Sequence, residues 1–390
     1  MPQTLALAKG ARITGGIFCL LFFLFTAYWL AVDLSEFGID GVWESWTRQR
    51  SGGINQVTAP FHIGLAAVQL AAVVAAFAGR RAAGGLLAVA TTLTFATALQ
   101  AGIATGTHTS DNRWFLHADQ DTTIFEGVFI STMLLVLVSL IAGVVLLAGM
   151  RSWPRSTPSD PPKRPVRTAG VAAGLLLGAM VLCNLAWQLY MLVQGGTGSA
   201  TMFYLGKGVL SSLLSMAPGW SALVLLVLTG VAAVSSLTRG AGARGLAFGL
   251  AIAALPGAVV TVIGLAGNGT LFTLGGSMPG LTVIGDIGLL LDLLGSPALL
   301  VLMGRGEPVV PAWYPPSQAP QFAAPGFVPQ APPPGPQAPP SWQPQPPVGP
   351  APPAGGPPMP PGTPPMPPGT PPPPQGGFGP PQGGFGPPQY

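Results

Sequence analysis

Apolar residues in this chain fall into long, nearly unbroken runs separated by short polar connections, the pattern of helices that are hydrophobic all round. Eight runs are long enough to cross about 30 Å of hydrocarbon, which takes roughly 20 residues at 1.5 Å each. They lie near Ile13 to Val32, Pro60 to Ala78, Ala83 to Ala104, Phe125 to Ala148, Ala169 to Val193, Gly219 to Leu237, Gly245 to Ala266 and Leu281 to Met303. The third is diluted by Thr91, Thr92, Thr94, Thr97 and Gln100. It still reads as a helix, because buried hydroxyls can bond their own backbone or a neighbouring helix. No small-residue cleavage pattern follows the first run, so that run is expected to remain in the protein.

The second half of this pattern repeats the first. Thr58-Ala59-Pro60 before the second run matches Met216-Ala217-Pro218 before the sixth, and the turn beginning Arg80-Arg81 matches the one beginning Thr238-Arg239. Glu126 entering the fourth run aligns with Asp286 entering the eighth, all at an offset of roughly 160 residues. Four spans per unit is an even number, so both units share one orientation. The expected fold is an all-α membrane protein of eight transmembrane helices, arranged as two parallel four-helix repeats over 1–150 and 169–307. A basic linker, 151–168, joins them, and a disordered Pro/Gly-rich tail follows over 308–390.

Composition agrees and adds an orientation. Of 390 residues only 7% are charged, far below the roughly 25% of soluble domains, which excludes a conventional soluble enzyme. With the N-terminus inside, the cytoplasmic connections collect twelve of the sixteen basic residues, among them Arg80, Arg81, Arg151, Arg155, Arg239 and Arg244. Arg48, Arg50, Arg113 and Lys207 remain outside, where most of the acids also fall. This bias predicts a multi-pass protein of a bacterial plasma membrane with both termini cytoplasmic, its surroundings the lipid bilayer and not nucleic acid.

Ionisable groups within the runs are the candidates for chemistry, since each costs perhaps 2.5 to 3.5 kcal/mol to insert. Asp292 lies near the middle of the eighth run, just before Gly295-Ser296-Pro297, where proline invites a kink. A mid-membrane acid beside a broken helix suits an ion or proton site. The alternative is a carboxyl bonded to a neighbour such as Asn184 or Gln188; the aligned position in the fourth run is Thr132. Asp286 and Glu126 read as helix-start carboxylates, Glu126 within a Thr123-x-x-Glu126 capping pattern. An outer loop containing His108, His117, Asp119 and Asp121 offers nitrogen and oxygen ligands for a divalent metal, without a recognised spacing. Gly170, Gly174 and Gly178 form a ladder for close helix packing, and Gly245, Gly249, Ala253 and Gly257 a similar stripe. Cys19 and Cys183 read as packing residues. No phosphate-binding loop, dinucleotide fingerprint, nucleophile elbow or zinc-protease helix is present, so neither catalysis nor a cofactor is expected.

From Pro308 onward the chain holds 35 of the 46 prolines and no charged residue, a composition that cannot build a core. Met359-Pro-Pro-Gly-Thr-Pro-Pro recurs at Met366, and Gly376-Gly-Phe378-Gly-Pro-Pro-Gln recurs at Gly383. Stiff proline runs with spaced aromatics suit groove-type cytoplasmic partners, or weak association with copies of the same chain as a homo-oligomer. In layout the chain resembles actinobacterial multi-pass membrane proteins with proline-rich cytoplasmic tails, a resemblance spanning its whole length that implies a cell-membrane location. The leading expectation is a non-enzymatic membrane scaffold acting through its tail. The main rival is a secondary transporter or ion-coupled permease using Asp292.

Overall fold

The structure is a computed structural model that describes residues 4–48, 56–106, 114–115, 122–153, 163–273 and 279–309. The chain divides into a unit of residues 1–321 and a second, 322–390, which lies outside the described residues, as does the rest of the tail from 310. Among the described residues eight α-helices follow in order, α1 Lys9–Arg48, α2 Phe61–Phe77, α3 Ala83–Gly106, α4 Thr122–Ala148, α5 Arg167–Ala200, α6 Pro218–Leu237, α7 Ala243–Gly267 and α8 Pro279–Gly304, with a π-helical turn at Thr201–Leu205 after α5. Seven are long and apolar enough to cross a membrane; α2, at 17 residues, is shorter. The protein is therefore a helical, membrane-embedded one.

α1 and α5 run well past the apolar segments that predicted them, and each bends at a glycine. Gly38 (φ 68°, ψ 172°) and Gly196 (φ 61°, ψ −171°) hold nearly the same backbone conformation, one that only glycine adopts without strain. They occupy the same place in the two halves. Other local features also recur. In the α2–α3 turn Ala78, Gly79, Arg80 and Ala83 donate their N–H groups to Val74, Ala76, Ala75 and Arg80. In the α6–α7 turn Thr238, Arg239, Gly240 and Ala243 donate to Val234, Ser236, Ser235 and Gly240.

Short strands close each group of four helices. β1 (Thr4–Leu7), leading into α1, pairs antiparallel with β2 (Met150–Trp153), which leaves α4. β3 (Lys163–Pro165), leading into α5, pairs likewise with β4 (Gly306–Pro308), which leaves α8. The segment expected as a plain linker thus begins and ends in strand. Pairing is reinforced at the second clip, where Arg239 Nη2 meets Glu307 Oε2 at 2.6 Å and Arg239 Nε donates to the Pro165 carbonyl.

The helix with the weakest hydrophobic signal is the most enclosed. α3 packs against α1, α2, α4, α6 and α7, and protein rather than lipid surrounds Thr91, Thr94, Thr97 and Thr105, while Thr92 is exposed. Thr94, Thr97 and Thr105 donate to the carbonyls of Ala90, Leu93 and Ala101, while Gln69 of α2 donates to Thr94 Oγ1 at 2.9 Å. α4 shows the converse: Ile130, Leu134, Leu137, Val144 and Leu147 expose a continuous apolar face suited to lipid.

The two groups meet along α7 through backbone contact. A Cβ on Gly64 would stand 1.9 Å from the Ala253 carbonyl oxygen, one on Gly245 2.3 Å from the Ala82 oxygen, and one on Gly264 2.4 Å from the Thr47 oxygen. Gly249 lies against Val89. The Gly170 ladder works differently. Gly170 and Gly174 press against Ser236 and Leu237 at the end of α6, but Gly178 has open space where its Cβ would be, so the third rung carries no packing. Gly64→Ala and Gly245→Ala should each lower the thermal midpoint in detergent by several degrees, an overpacking cost of about 1 to 3 kcal/mol. Gly178→Ala should leave it unchanged or raise it; equal losses at all three positions would contradict this seam.

Candidate functional site

Asp292 lines a partly open cavity of about 700 Å3 between α5, α6, α7 and α8. The walls are mainly aliphatic, with Leu177, Val181, Leu225 and Leu289 among them. Polar groups are few: Ser221 and Thr229 of α6, Thr261 of α7, Ser296 of α8, and Cys183 and Asn184 of α5. α8 aims Asp292 and Ser296 into the same space because they are one turn apart. At Pro297 the helix loses the N–H that would bond the Leu293 carbonyl.

No group among the described residues donates a hydrogen bond to the Asp292 carboxylate or forms an ion pair with it. Asn184 and Gln188, the expected neighbours, bond elsewhere. Tyr204 OH donates to Gln188 Oε1 at 3.0 Å, Gln188 Nε2 to Asn184 Oδ1 at 3.0 Å, and Asn184 Nδ2 to the Ala222 carbonyl at 3.1 Å. This chain holds the α5 wall against α6 and leaves the acid free. Ser296, 1% exposed, makes no hydrogen bond among the described residues either.

Among the described residues, the interior of the first four helices is more closely packed around the position aligned with Asp292. Its cavity of about 10 Å3 lies between Thr26, His62, Thr94, Thr97 and aliphatic neighbours, room for about one water. Thr132, at the position aligned with Asp292, is fully buried and donates to the Val128 carbonyl at 2.7 Å. Where one half places a self-satisfied threonine, the other places an unpartnered acid beside a hollow.

The remaining acids have separate tasks. Asp286 is 5% exposed and, contrary to its expected role at the start of its own helix, accepts from the Phe272 N–H at 2.6 Å. It fastens the end of the α7–α8 connection, where Phe272 has a positive φ of 57°. Glu126 is exposed just past the first turn of α4 and accepts no hydrogen bond among the described residues. The expected capping box does not form, because α4 begins at Thr122 and Thr123 already lies inside its first turn. Neither Asp286 nor Glu126 is among the residues that line the cavity at Asp292.

Asp33, at the edge of the first apolar run, is expected from the charge pattern only as one of the acids of the outer side, with no structural task. It is 1% exposed and accepts from the N–H groups of Val57 at 3.0 Å and Thr58 at 2.6 Å, and from the Thr58 hydroxyl. A buried carboxylate with three donors ties α1 to the segment before α2. His62 completes that corner, its Nδ1 accepting from the Ala59 N–H at 3.0 Å. The signal available in the sequence was the Thr58-Ala-Pro-x-His62 cluster of helix-start residues, which needed a partner.

His108, His117, Asp119 and Asp121 lie outside the described residues, among which no group of three metal-binding side chains occurs. Cys19 and Cys183 are free thiols, Cys183 donating to the Ile284 carbonyl at 3.4 Å. No protein-family model matches the chain, and comparisons with curated proteins and with solved structures find no match. The class is thus set by the molecule itself: a membrane-embedded helical protein with a large, partly open cavity between four of its helices.

Removing the two acids should have opposite consequences. Asp33→Ala strands three buried donors and should cost about 3 kcal/mol or more of stability. Asp292→Ala strands none and should be neutral or stabilising. Thermal unfolding of the two variants in the same detergent tests this, and a larger loss for Asp292→Ala would contradict the assignment.

Proposed function

We propose that the chain is a secondary transporter or ion-coupled permease whose substrate or coupling ion is held in the cavity at Asp292. The observation that carries this reading is an acid without a hydrogen-bond partner among the described residues, facing a hollow of about 700 Å3 between helices, with Pro297 interrupting the same helix just beyond it. An uncompensated carboxylate in such surroundings is costly, which argues for a role in binding and against one in packing.

The proposed architecture is eight membrane spans in two parallel four-helix repeats. The paired glycine bends, the matching turns and the two strand clips support it. At 17 residues α2 covers about 25 Å, and it packs against α1, α3 and α7. The basic residues of the turns and clips support a cytoplasmic placement of both termini, in a bacterial plasma membrane.

In proteoliposomes, Asp292→Asn should abolish proton- or ion-driven solute flux while Glu126→Gln leaves it intact. Flux unaffected by Asp292→Asn would reject this reading. A second role, as a scaffold, is supported by the tandem aromatic and proline repeats of the tail. Deleting residues 308–390 should then remove co-purifying cytoplasmic partners without changing flux, and an unchanged set of partners would reject it.

A further inference from the structure

We infer that the cavity at Asp292 takes a lipophilic organic monocation, a quaternary or protonated amine carrying an apolar body. This deepens the permease reading and rests on it for the cavity's role in transport, though not for binding itself.

Charge comes first. Asp292 is the one ionisable carboxylate on the cavity wall, and no Lys, Arg or His shares that wall to neutralise it. With no donor bonded to it among the described residues, the carboxylate is short of a counter-charge, and a ligand cation supplies one. An anion would meet repulsion there, and a neutral solute would leave the acid uncompensated.

The walls then distinguish an organic cation from a bare metal ion. Calcium takes six to eight oxygen ligands and magnesium keeps a near-octahedral shell, whereas this wall offers one carboxylate and scattered hydroxyls. About 700 Å3 is far more than an inorganic ion fills and lies within the range of small-molecule sites, roughly 300 to 1,000 Å3. The aliphatic lining suits a hydrocarbon body. Trp187, on the same wall and set edge-on to Phe203 with ring centroids 6.3 Å apart, offers an aromatic surface to a cationic head. Ser296, buried and without a partner, adds a hydroxyl one turn from the acid.

The experiment is equilibrium binding of radiolabelled tetraphenylphosphonium to the full-length protein in lipid nanodiscs, with empty discs as background. Saturable binding is expected, displaced by benzyltrimethylammonium and not by its neutral carbon isostere neopentylbenzene or by benzenesulfonate. Asp292→Asn should weaken it at least tenfold. Ala254→Phe, which fills the cavity without touching the carboxylate, should weaken it as much while the protein remains monodisperse. No saturable binding, displacement by the neutral isostere as effective as by the cation, or full binding in Asp292→Asn would each overturn the inference. Asp292-dependent flux of an anion or neutral solute, with no phosphonium binding, would overturn the cation and leave the permease reading standing. Phosphonium binding through Asp292 without flux of any solute would uphold the cation and reject the permease.

Discussion

Backbone contact along α7 is the constraint on which the rest of the arrangement depends. In hydrocarbon there is little hydrophobic drive between helices, so association rests on close approach and on hydrogen bonds. Gly245, Gly249 and Gly264, with Gly64 and Gly85 facing them from α2 and α3, allow α7 to lie directly against the first four helices. Once α7 is fixed there, α8 packs on its other side, and α5 and α6 can close the second group only around the space that remains. The cavity is a consequence of that placement. Its apolar lining is what four membrane helices would present in any case, and Asp292 and Ser296 give it chemical character.

Polar groups sort the two halves by purpose. In the first, the buried acid and several buried polar side chains are spent on structure: Asp33 on the segment before α2, Gln69 on Thr94, Thr132 on its own helix. In the second, Asn184, Gln188 and Tyr204 are tied into one chain, and Asp286 holds a loop. Asp292 is left without such a task. The two groups of four helices share glycine bends, turn hydrogen bonds and strand clips while their interiors differ.

Helix number and placement were legible in the sequence because twenty-residue apolar runs have few structural alternatives. The threonine-rich third run was legible too, since dilution of the pattern marks a helix enclosed by protein. Other features were not. The bends at Gly38 and Gly196 lie among many glycines, and nothing local distinguishes a glycine at positive φ from one at a packing seam. The same holds for Gly178, which continues the spacing of Gly170 and Gly174 yet faces open space. The structural task of Asp33 was not legible because its partners are more than twenty residues away. Asp292 was identifiable by its depth, but the cavity beside it, formed by four helices, is a tertiary property that no single segment encodes.

The central claim is that aligned positions in the two halves face a packed core in one and an open cavity in the other. Cysteine accessibility tests this most directly, using Thr132→Cys and Asp292→Cys in a background lacking Cys19 and Cys183, with N-ethylmaleimide as a small permeant reagent. The account predicts rapid modification at position 292 and protection at 132 until the protein is denatured. Equal protection at both positions, or faster reaction at 132, would contradict it.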